Sequence, residues 1–106
     1  MSDPDPPAPA PTITVLMAVH NGAATVREAI DSILAQTWSD FEFLIVDDAS
    51  TDDTPAILRA RADPRVRALS LSRNFGKEAA LSAGLDHARG DAVVPIDVDM
   101  QDPPEV

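Results

Sequence analysis

The sequence predicts an α/β fold in which about four parallel strands alternate with helices. Apolar runs typical of buried strands alternate along the chain with helix-like segments, which indicates βαβ units. Polar residues follow several of these runs, and the last run is followed by the carboxylates Asp97 and Asp99. Right-handed crossovers leave few topologies, and we expect the strand order 3-2-1-4 with flanking helices.

The first strand and the first helix have distinct signals. Residues 13–19 form a near-continuous apolar run, typical of a strand buried on both faces, and the turn signal His-Asn-Gly follows at residues 20–22. Thr25 and Glu28 have the spacing of a capping box, which predicts the start of a helix. The apolar face of this helix is predicted to comprise Val26, Ala29, Ile30, Ile33 and Leu34.

The second strand and the second helix repeat this cycle. Residues 41–46 predict a strand, and the polar residues 47–53 form the loop that follows. Thr54 before Pro55 resembles an N-cap followed by proline at the first helical position. We expect this helix to end at Asp63-Pro64.

The remaining elements are a weaker strand, a helix of small residues and a fourth strand. We expect them at residues 66–71, 77–88 and 91–96, with Gly90 closing the helix. Pro95 lacks an N–H group and would weaken a central strand. The fourth strand should therefore contain a bulge or have one unpaired side.

Composition limits the classes of protein to which the chain can belong. The 106 residues allow one modest domain or part of a larger one, and the net charge of -10 argues against nucleic-acid binding. There is no cysteine, which excludes disulfides and Cys-based zinc sites and fits a cytoplasmic protein. Residues 1–11 contain five of the ten prolines and are expected to be a disordered leader, with the folded domain at residues 12–106.

Several polar residues are predicted to meet at one edge of the sheet. His20 and Asn21 follow the first strand, Asp48 follows the second, and Asp97 follows the fourth. The carboxyl ends of parallel strands lie at the same edge, where ligands of doubly wound sheets bind. Each residue also has a plainer interpretation, because Asp after a strand often caps a turn and a lone histidine is often a hydrogen-bonded loop residue.

Asp97, Asp99 and Gln101 form the most specific pattern. Alternate residues of an extended chain point to the same side, so these three residues would present oxygen atoms together. Adjacent carboxylates repel each other unless a cation lies between them, and Mg²⁺ or Mn²⁺ prefers such oxygen ligands. Lys77 follows Gly76 at a helix start, where it could meet a diphosphate, pair with a site carboxylate, or lie on the surface.

Three stretches together resemble the family 2 glycosyltransferases of GT-A fold. They are residues 13–22, residues 32–37 with 46–52, and residues 73–78 with 97–105. The last stretch is similar to the branch of dolichol-phosphate mannose synthase-like enzymes, which transfer sugars to polyprenyl phosphate. In that branch Pro, an aromatic residue and Glu often stand where this chain has Ala18, His20 and Gly22.

The resemblance implies an inverting, metal-dependent transferase that uses a UDP- or GDP-sugar. The implied nucleotide-binding residues are Ala18, His20, Asn21, Asp48, Lys77 and Asp97. Asp97, Asp99 and Gln101 would hold Mg²⁺ or Mn²⁺ on the diphosphate. The resemblance further implies a Rossmann-like half domain that is inactive alone, with the acceptor-side base and any membrane contact beyond Val106. The full-length protein would then act at the cytoplasmic face of the membrane.

Two other functions are compatible with an acidic pocket in such a sheet. One is a non-catalytic nucleotide-binding module. The other is a phosphoacceptor receiver domain, which needs paired acids after the first strand and an aspartate after the third. The residues at these places are His20-Asn21 and Ser72-Arg73, which disfavours the receiver domain.

Overall fold

A computed structural model describes residues 11–36, 40–60 and 63–97, and for Asp97 it describes the backbone. In these ranges strands and helices alternate along the chain. They are β1 (Ile13–Val19), α1 (Ala23–Leu34), β2 (Phe41–Asp47), α2 (Thr54–Ala60), β3 (Val66–Ser70), α3 (Lys77–His87) and β4 (Ala92–Asp97). The predicted leader lies outside the described residues except for Pro11.

The strands form a parallel sheet in the order β3-β2-β1-β4, which confirms the predicted α/β fold and strand order. In this sheet Ala18 pairs with Val46 of β2 on one side and with Asp97 of β4 on the other. The register therefore brings the carboxyl ends of β1, β2 and β4 to the same edge.

The two faces of the sheet have separate apolar cores because successive side chains of a strand point to opposite faces. Met17 and Phe43 belong to the core shared with α1 and α2. Leu16 and Leu44 belong to the core on the other face, where they pack with Ala80 of α3. The predicted apolar stripe of α1 is confirmed. Val26, Ala29 and Ile30 are buried, and Ile33 and Leu34 pack against the same core.

The predicted capping box at Thr25 and Glu28 is wrong. Helix α1 begins at Ala23, so Thr25 lies within its first turn. The cap residue is Gly22, which has no side chain that could form a capping bond. The Ala23 N–H donates instead to the carboxylate of Asp52, at 3.1 Å. The first turn is thus capped by the loop after β2, a contact that local spacing cannot reveal.

Helix α2 begins one residue earlier than the sequence predicts. Thr54 is its first residue, and the carbonyl oxygen of Asp53 accepts the first helical bond, from the N–H of Ile57 at 3.0 Å. Pro55 is therefore the second helical residue rather than the first. The shift has a physical cause, because Asp52 accepts bonds from both the N–H and the hydroxyl of Thr54, at 2.9 and 2.5 Å.

Strand β4 lies at an edge of the described sheet and pairs with β1 alone. Pairing is continuous from Ala92 to Asp97, so there is no bulge, and the alternative of one unpaired side is confirmed. Pro95 is compatible with this position because an edge strand needs N–H groups on only one side. In the described part of the chain, no helix is long and apolar enough to cross a bilayer.

A buried carboxylate joins the amino ends of the strands. Glu42 of β2, 5% exposed, accepts bonds from the hydroxyl of Thr14 and the guanidinium of Arg67, both at 2.6 Å. The Arg89 N–H donates to it at 2.7 Å, and the Gly90 N–H donates to the Thr14 hydroxyl at 2.9 Å. These contacts connect β3, β2, β1 and the turn before β4.

Candidate functional site

Three loops of the described residues meet at the carboxyl edge of the sheet, and the sequence predicts this for the loops after β1 and β2. They follow β1 at residues 20–22, β2 at residues 48–53 and β3 at residues 71–76. The loops are joined by hydrogen bonds between residues 27 to 54 positions apart in sequence.

Asn21 joins the first loop to the second. Its φ of 53° is a left-handed conformation that asparagine tolerates better than most residues. Its N–H donates to the hydroxyl of Ser50 at 2.8 Å. Its side-chain oxygen accepts from the N–H groups of Thr51 and Asp52, at 2.7 and 3.3 Å. The carboxamide of this predicted nucleotide-binding residue therefore organises the second loop.

An aspartate after a strand can be a ligand-binding residue or a turn residue. The contacts of Asp47, the last residue of β2, are those of a turn residue. Its carboxylate is buried and accepts from both the hydroxyl and the N–H of Ser50, at 2.6 and 3.1 Å. This is the Asx-turn arrangement that aspartate commonly adopts after a strand. Asp47 therefore shapes the loop that follows it.

Asp48 joins the second loop to the third. The side chain is 3% exposed, and its two carboxylate oxygens accept the N–H groups of Phe75 and Gly76, at 2.8 and 2.9 Å. Its own N–H donates to the carbonyl oxygen of Val19 at 2.8 Å. The carboxylate thus holds the loop that leads into α3 against the ends of β1 and β2.

His20 lies at the junction of all three loops. Its Nδ1–H donates to the carbonyl oxygen of Asp48 at 2.7 Å. The side-chain amides of Asn21 and Asn74 lie 3.3 and 3.4 Å from its Nε2. The oxygens of both amides accept backbone N–H groups, so their NH₂ groups face the ring. Nε2 is then the acceptor, which assigns the neutral Nδ1-protonated tautomer.

The remaining predicted site residues lie around this junction. Ala18 is half-buried beside Asp97 at the end of β4, and Lys77 is exposed as the first residue of α3. The side chain of Asp97, and all of Asp99 and Gln101, lie outside the described residues. Within the described ranges, no group of three or more His, Asp or Glu side chains is placed to hold a metal ion.

Sequence reasoning did not identify Ser50, Thr54 and Asn74 as part of this edge. Thr54 is fully buried, and its hydroxyl accepts the Gly22 N–H at 3.0 Å. Asn74 binds the Gly76 N–H at 3.0 Å and faces His20. Ser50 and Asn74 are polar residues that closely follow the ends of β2 and β3, which is the signal that could have found them, whereas Thr54 stands at the start of α2.

Solved structures of known proteins share this fold. The mannosyltransferase PcManGT from Pyrobaculum calidifontis, solved in complex with GDP-Man and Mn²⁺, is 34% identical, with a TM-score of 0.77 over 88% of this chain and 29% of that one. TarS from S. aureus in complex with UDP-GlcNAc is 27% identical, with a TM-score of 0.77 over 83% of this chain and 26% of that one.

Curated relatives match by sequence. A bactoprenol glucosyl transferase of Shigella phage SfV is 61% identical over 67 residues, which are 61% of this chain and 22% of the relative. An uncharacterised glycosyltransferase of Bacillus subtilis, YkcC, is 40% identical over 98 residues, which are 88% of this chain and 30% of the relative. The chain thus spans less than a third of the length of these two relatives.

A family model matches almost the whole described fold. The model, described as Glycosyl transferase family 2, covers residues 14–106. This match argues against a receiver domain, because it extends through all the strands and helices of the described fold except the first residue of β1. The chain belongs to glycosyltransferase family 2.

Proposed function

We propose that the protein is an inverting glycosyltransferase that transfers a sugar from a UDP- or GDP-sugar to polyprenyl phosphate. Family membership supports the transfer of a sugar. The two solved relatives bind GDP-Man and UDP-GlcNAc, which supports a nucleotide-sugar donor. The bactoprenol glucosyl transferase at 61% identity supports a polyprenyl phosphate acceptor, and with it a location at the cytoplasmic face of the membrane.

The observation that carries this proposal is the register of the sheet. Ala18 pairs with both Val46 and Asp97, so the acidic segment after β4 starts at the edge where His20 and Asp48 lie. A nucleotide placed across the ends of β1 and β2 would direct its diphosphate toward β4. This is the place where ligands of doubly wound sheets bind.

The donor atoms after β4 fit a hard divalent cation. Asp97, Asp99 and Gln101 offer carboxylate and amide oxygens, which Mg²⁺ and Mn²⁺ prefer. The solved relative that contains Mn²⁺ supports this choice of ion. These residues would hold the ion, which supplies positive charge to neutralise the leaving nucleoside diphosphate.

The other steps of the proposed reaction are binding of the donor by this chain and attack by the acceptor. The residues at the ends of β1 and β2 hold the nucleotide of the donor, and Lys77 adds positive charge near its diphosphate. An acceptor oxygen attacks the anomeric carbon from the side opposite to the diphosphate. The carbon–oxygen bond to the diphosphate breaks as the new bond forms, so the configuration inverts without a covalent enzyme intermediate.

Calorimetric titration tests this proposal on the protein at its full natural length. Each donor, UDP-glucose or GDP-mannose, is titrated into the protein once in the presence of Mn²⁺ and once in the presence of EDTA. We expect one donor to bind only with Mn²⁺, and we expect Asp99→Ala to weaken its binding at least about tenfold because a charged ligand of the ion is lost.

The matched control is Asp91→Ala, which removes an exposed carboxylate just before β4, at the other end of that strand. Its affinity should equal that of the wild type. Absence of binding by either donor, or equal binding by Asp99→Ala, contradicts the proposal. Binding without transfer to polyprenyl phosphate would support a non-catalytic nucleotide-binding module instead.

A further inference from the structure

Three of the eight lysine and arginine side chains line one cavity at the amino end of the sheet. They are Arg65, Arg67 and Arg89. Arg65 directly precedes β3, Arg67 lies within β3, and Arg89 lies in the turn before β4. The cavity has a volume of about 260 Å³, whereas one molecule of liquid water takes up about 30 Å³. It therefore has room for a small anion together with water.

Two of the three guanidinium groups are held in place by the protein itself. Arg65 donates through Nε and Nη2 to the carboxylate of Asp63, at 3.2 and 3.1 Å. Arg67 donates through Nη1 to Glu42 at 2.6 Å and to the carbonyl oxygen of His87 at 3.1 Å. Groups that are fixed before a ligand arrives lose little conformational entropy when they bind it.

The guanidinium groups keep N–H donors that the described residues do not use. A guanidinium has five such donors. Among the described residues, Nη1 of Arg65 and both Nε and Nη2 of Arg67 make no hydrogen bond. Arg89 is exposed, and its side chain makes no hydrogen bond or ion pair within that part of the chain. The cavity therefore has unused donors from three side chains.

The carboxylates around the cavity are already engaged. Both oxygens of Glu42 accept hydrogen bonds, and so do both oxygens of Asp63 and of Asp40. These three carboxylates balance the formal charge of the three arginines. The excess at this place is therefore one of hydrogen-bond donors over acceptors, and a ligand with several acceptor oxygens would satisfy it.

We propose that this cavity is a phosphate-binding site, in which Arg65, Arg67 and Arg89 donate to one phosphate group. The planar fork of a guanidinium matches two oxygens of a phosphate or a carboxylate. Donors from three side chains favour phosphate, because a carboxylate has only two oxygens to share among them. The site goes beyond the proposed function. It lies at the opposite end of β2 from the carboxyl edge, roughly 20 Å away at about 3.3 Å per residue.

Calorimetric titration with inorganic phosphate tests the site in the protein at its full natural length. EDTA is present, so that no metal ion carries phosphate to the carboxyl edge. We expect the wild type to bind phosphate, and we expect Arg89→Gln to weaken this binding at least about tenfold because one of three charged donors is lost. Equal binding by Arg89→Gln would overturn the proposal.

The matched control is Arg59→Gln, which removes the same charge from an exposed position on α2. It should bind phosphate like the wild type, and a loss equal to that of Arg89→Gln would mean that net charge is responsible, which overturns the proposal. Arg89→Gln should fold normally because its side chain has no partner among the described residues. Equal melting temperatures of the wild type and this variant without phosphate check that expectation.

Hydrogen exchange shows where phosphate binds. Phosphate should slow the exchange of amides in residues 63–67 and 88–91 at least about twofold, and leave the loops at residues 20–22 and 48–53 unchanged. Protection of those two loops instead would place the anion at the carboxyl edge and overturn the proposal. This readout does not depend on donor binding, so the proposed function and this site can fail separately.

A second titration separates two sources of the phosphate group, a free anion and a lipid head group. The probe is dihexanoyl phosphatidic acid, which is soluble in water, with dihexanoyl phosphatidylcholine as the uncharged control. Binding at least about tenfold tighter than that of inorganic phosphate assigns the site to a lipid head group, and equal binding assigns it to free phosphate. Either result supports the site if Arg89→Gln weakens it. Binding of neither probe by the wild type would overturn the proposal.

Discussion

Glu42 and Asp48 meet the same physical problem at opposite ends of β2. Each is a buried carboxylate, which is costly unless its oxygens accept hydrogen bonds. Among the described residues, no buried side-chain nitrogen or oxygen lacks a hydrogen-bond partner. Asp48 is satisfied by two backbone N–H groups, and Glu42 by Thr14, Arg67 and the Arg89 N–H. Both carboxylates thus hold separate segments of the chain together.

The pKa of Glu42 makes stability depend on pH. Burial by itself would raise this pKa, but the hydrogen bonds from Thr14, the Arg89 N–H and Arg67, with the charge of Arg67, lower it below its ordinary value of 4.5. A carboxyl whose pKa is lower in the folded state stabilises the fold at pH values above its ordinary pKa. That stabilisation is lost as the pH falls through the lowered value.

We therefore expect Glu42→Gln to lower the free energy of unfolding near neutral pH by about 1–3 kcal/mol, because charge-assisted bonds are lost at a buried site. The difference from the wild type should shrink as the pH falls from 4.5 toward the lowered pKa, because the unfolded wild-type chain takes up a proton at Glu42 before the folded protein does. Urea unfolding between about pH 7 and about pH 3.5 measures both effects.

Glu28→Gln on the exposed face of α1 is the matched control and should change stability little at any of these pH values. A Glu42→Gln variant that keeps a constant difference from the wild type across this range would contradict the assigned pKa.

At this scale the sequence could reveal that Glu42 needs a partner, but it could not reveal the partners of either carboxylate. Glu42 stands in the otherwise apolar run of residues 41–46, and a charge in a buried strand always needs a partner. Which residue supplies the partner is set by the register, since Arg67 is 25 positions away. For Asp48 the partners are backbone groups, which have no sequence signature at all.

Among the elements, the strands and the helix faces were predictable, while the helix starts were not. Periodicity located α1 correctly because its buried stripe is a local pattern. The prediction of its cap was wrong because the acceptors for the N–H groups of Gly22 and Ala23 are the side chains of Thr54 and Asp52. These residues lie about 30 positions further along the chain. A helix start that is capped by another loop has no fixed spacing for a sequence pattern to detect.

The starts of α1 and α2 should consequently lose stability together. Thr54→Val removes a buried hydroxyl that accepts the Gly22 N–H at 3.0 Å and donates to Asp52. We expect a loss of about 1–3 kcal/mol in the free energy of unfolding, because a partly buried N–H is left without an acceptor. Thermal and urea unfolding measure this loss.

The comparison variant is Thr25→Val, in the place where the sequence alone predicted the cap. The Thr25 hydroxyl lies 3.4 Å from the Gly22 carbonyl oxygen and caps no N–H group, so its loss should cost much less. An equal loss of unfolding free energy in the two variants would support the capping box and contradict the assignment of the cap to Asp52 and Thr54.

In the whole molecule, the amino end and the carboxyl end of the sheet carry different groups of contacts. The amino end carries the Glu42 contacts, which join three strands and the turn before β4. The carboxyl end carries the three loops and the start of the acidic segment. The chain has a net charge of -10, so under the proposed function an anionic donor at the carboxyl end would need nearby cations, for which we propose Lys77 and a metal ion.

This division predicts that stability and donor affinity can be changed independently. Glu42 and Asp48 are six residues apart on one extended segment, which places them roughly 20 Å from each other at about 3.3 Å per residue. Glu42→Gln should therefore lower the free energy of unfolding but leave the affinity for the nucleotide sugar within about twofold of the wild type, measured well below the melting temperature. Asp99→Ala should do the reverse.

The route by which this prediction could fail is also defined by the structure. The Glu42 contacts hold Arg89 and Gly90, which lead into β4, and β4 ends at Asp97. Along β4, a shift of that turn would reach the acidic segment by disturbing the six paired positions between β1 and β4. Such pairing resists a slip, because a change of one residue would turn every side chain of β4 to the other face. If Glu42→Gln weakens donor binding more than about threefold while the protein remains folded, the two ends of the sheet are coupled and the prediction is wrong.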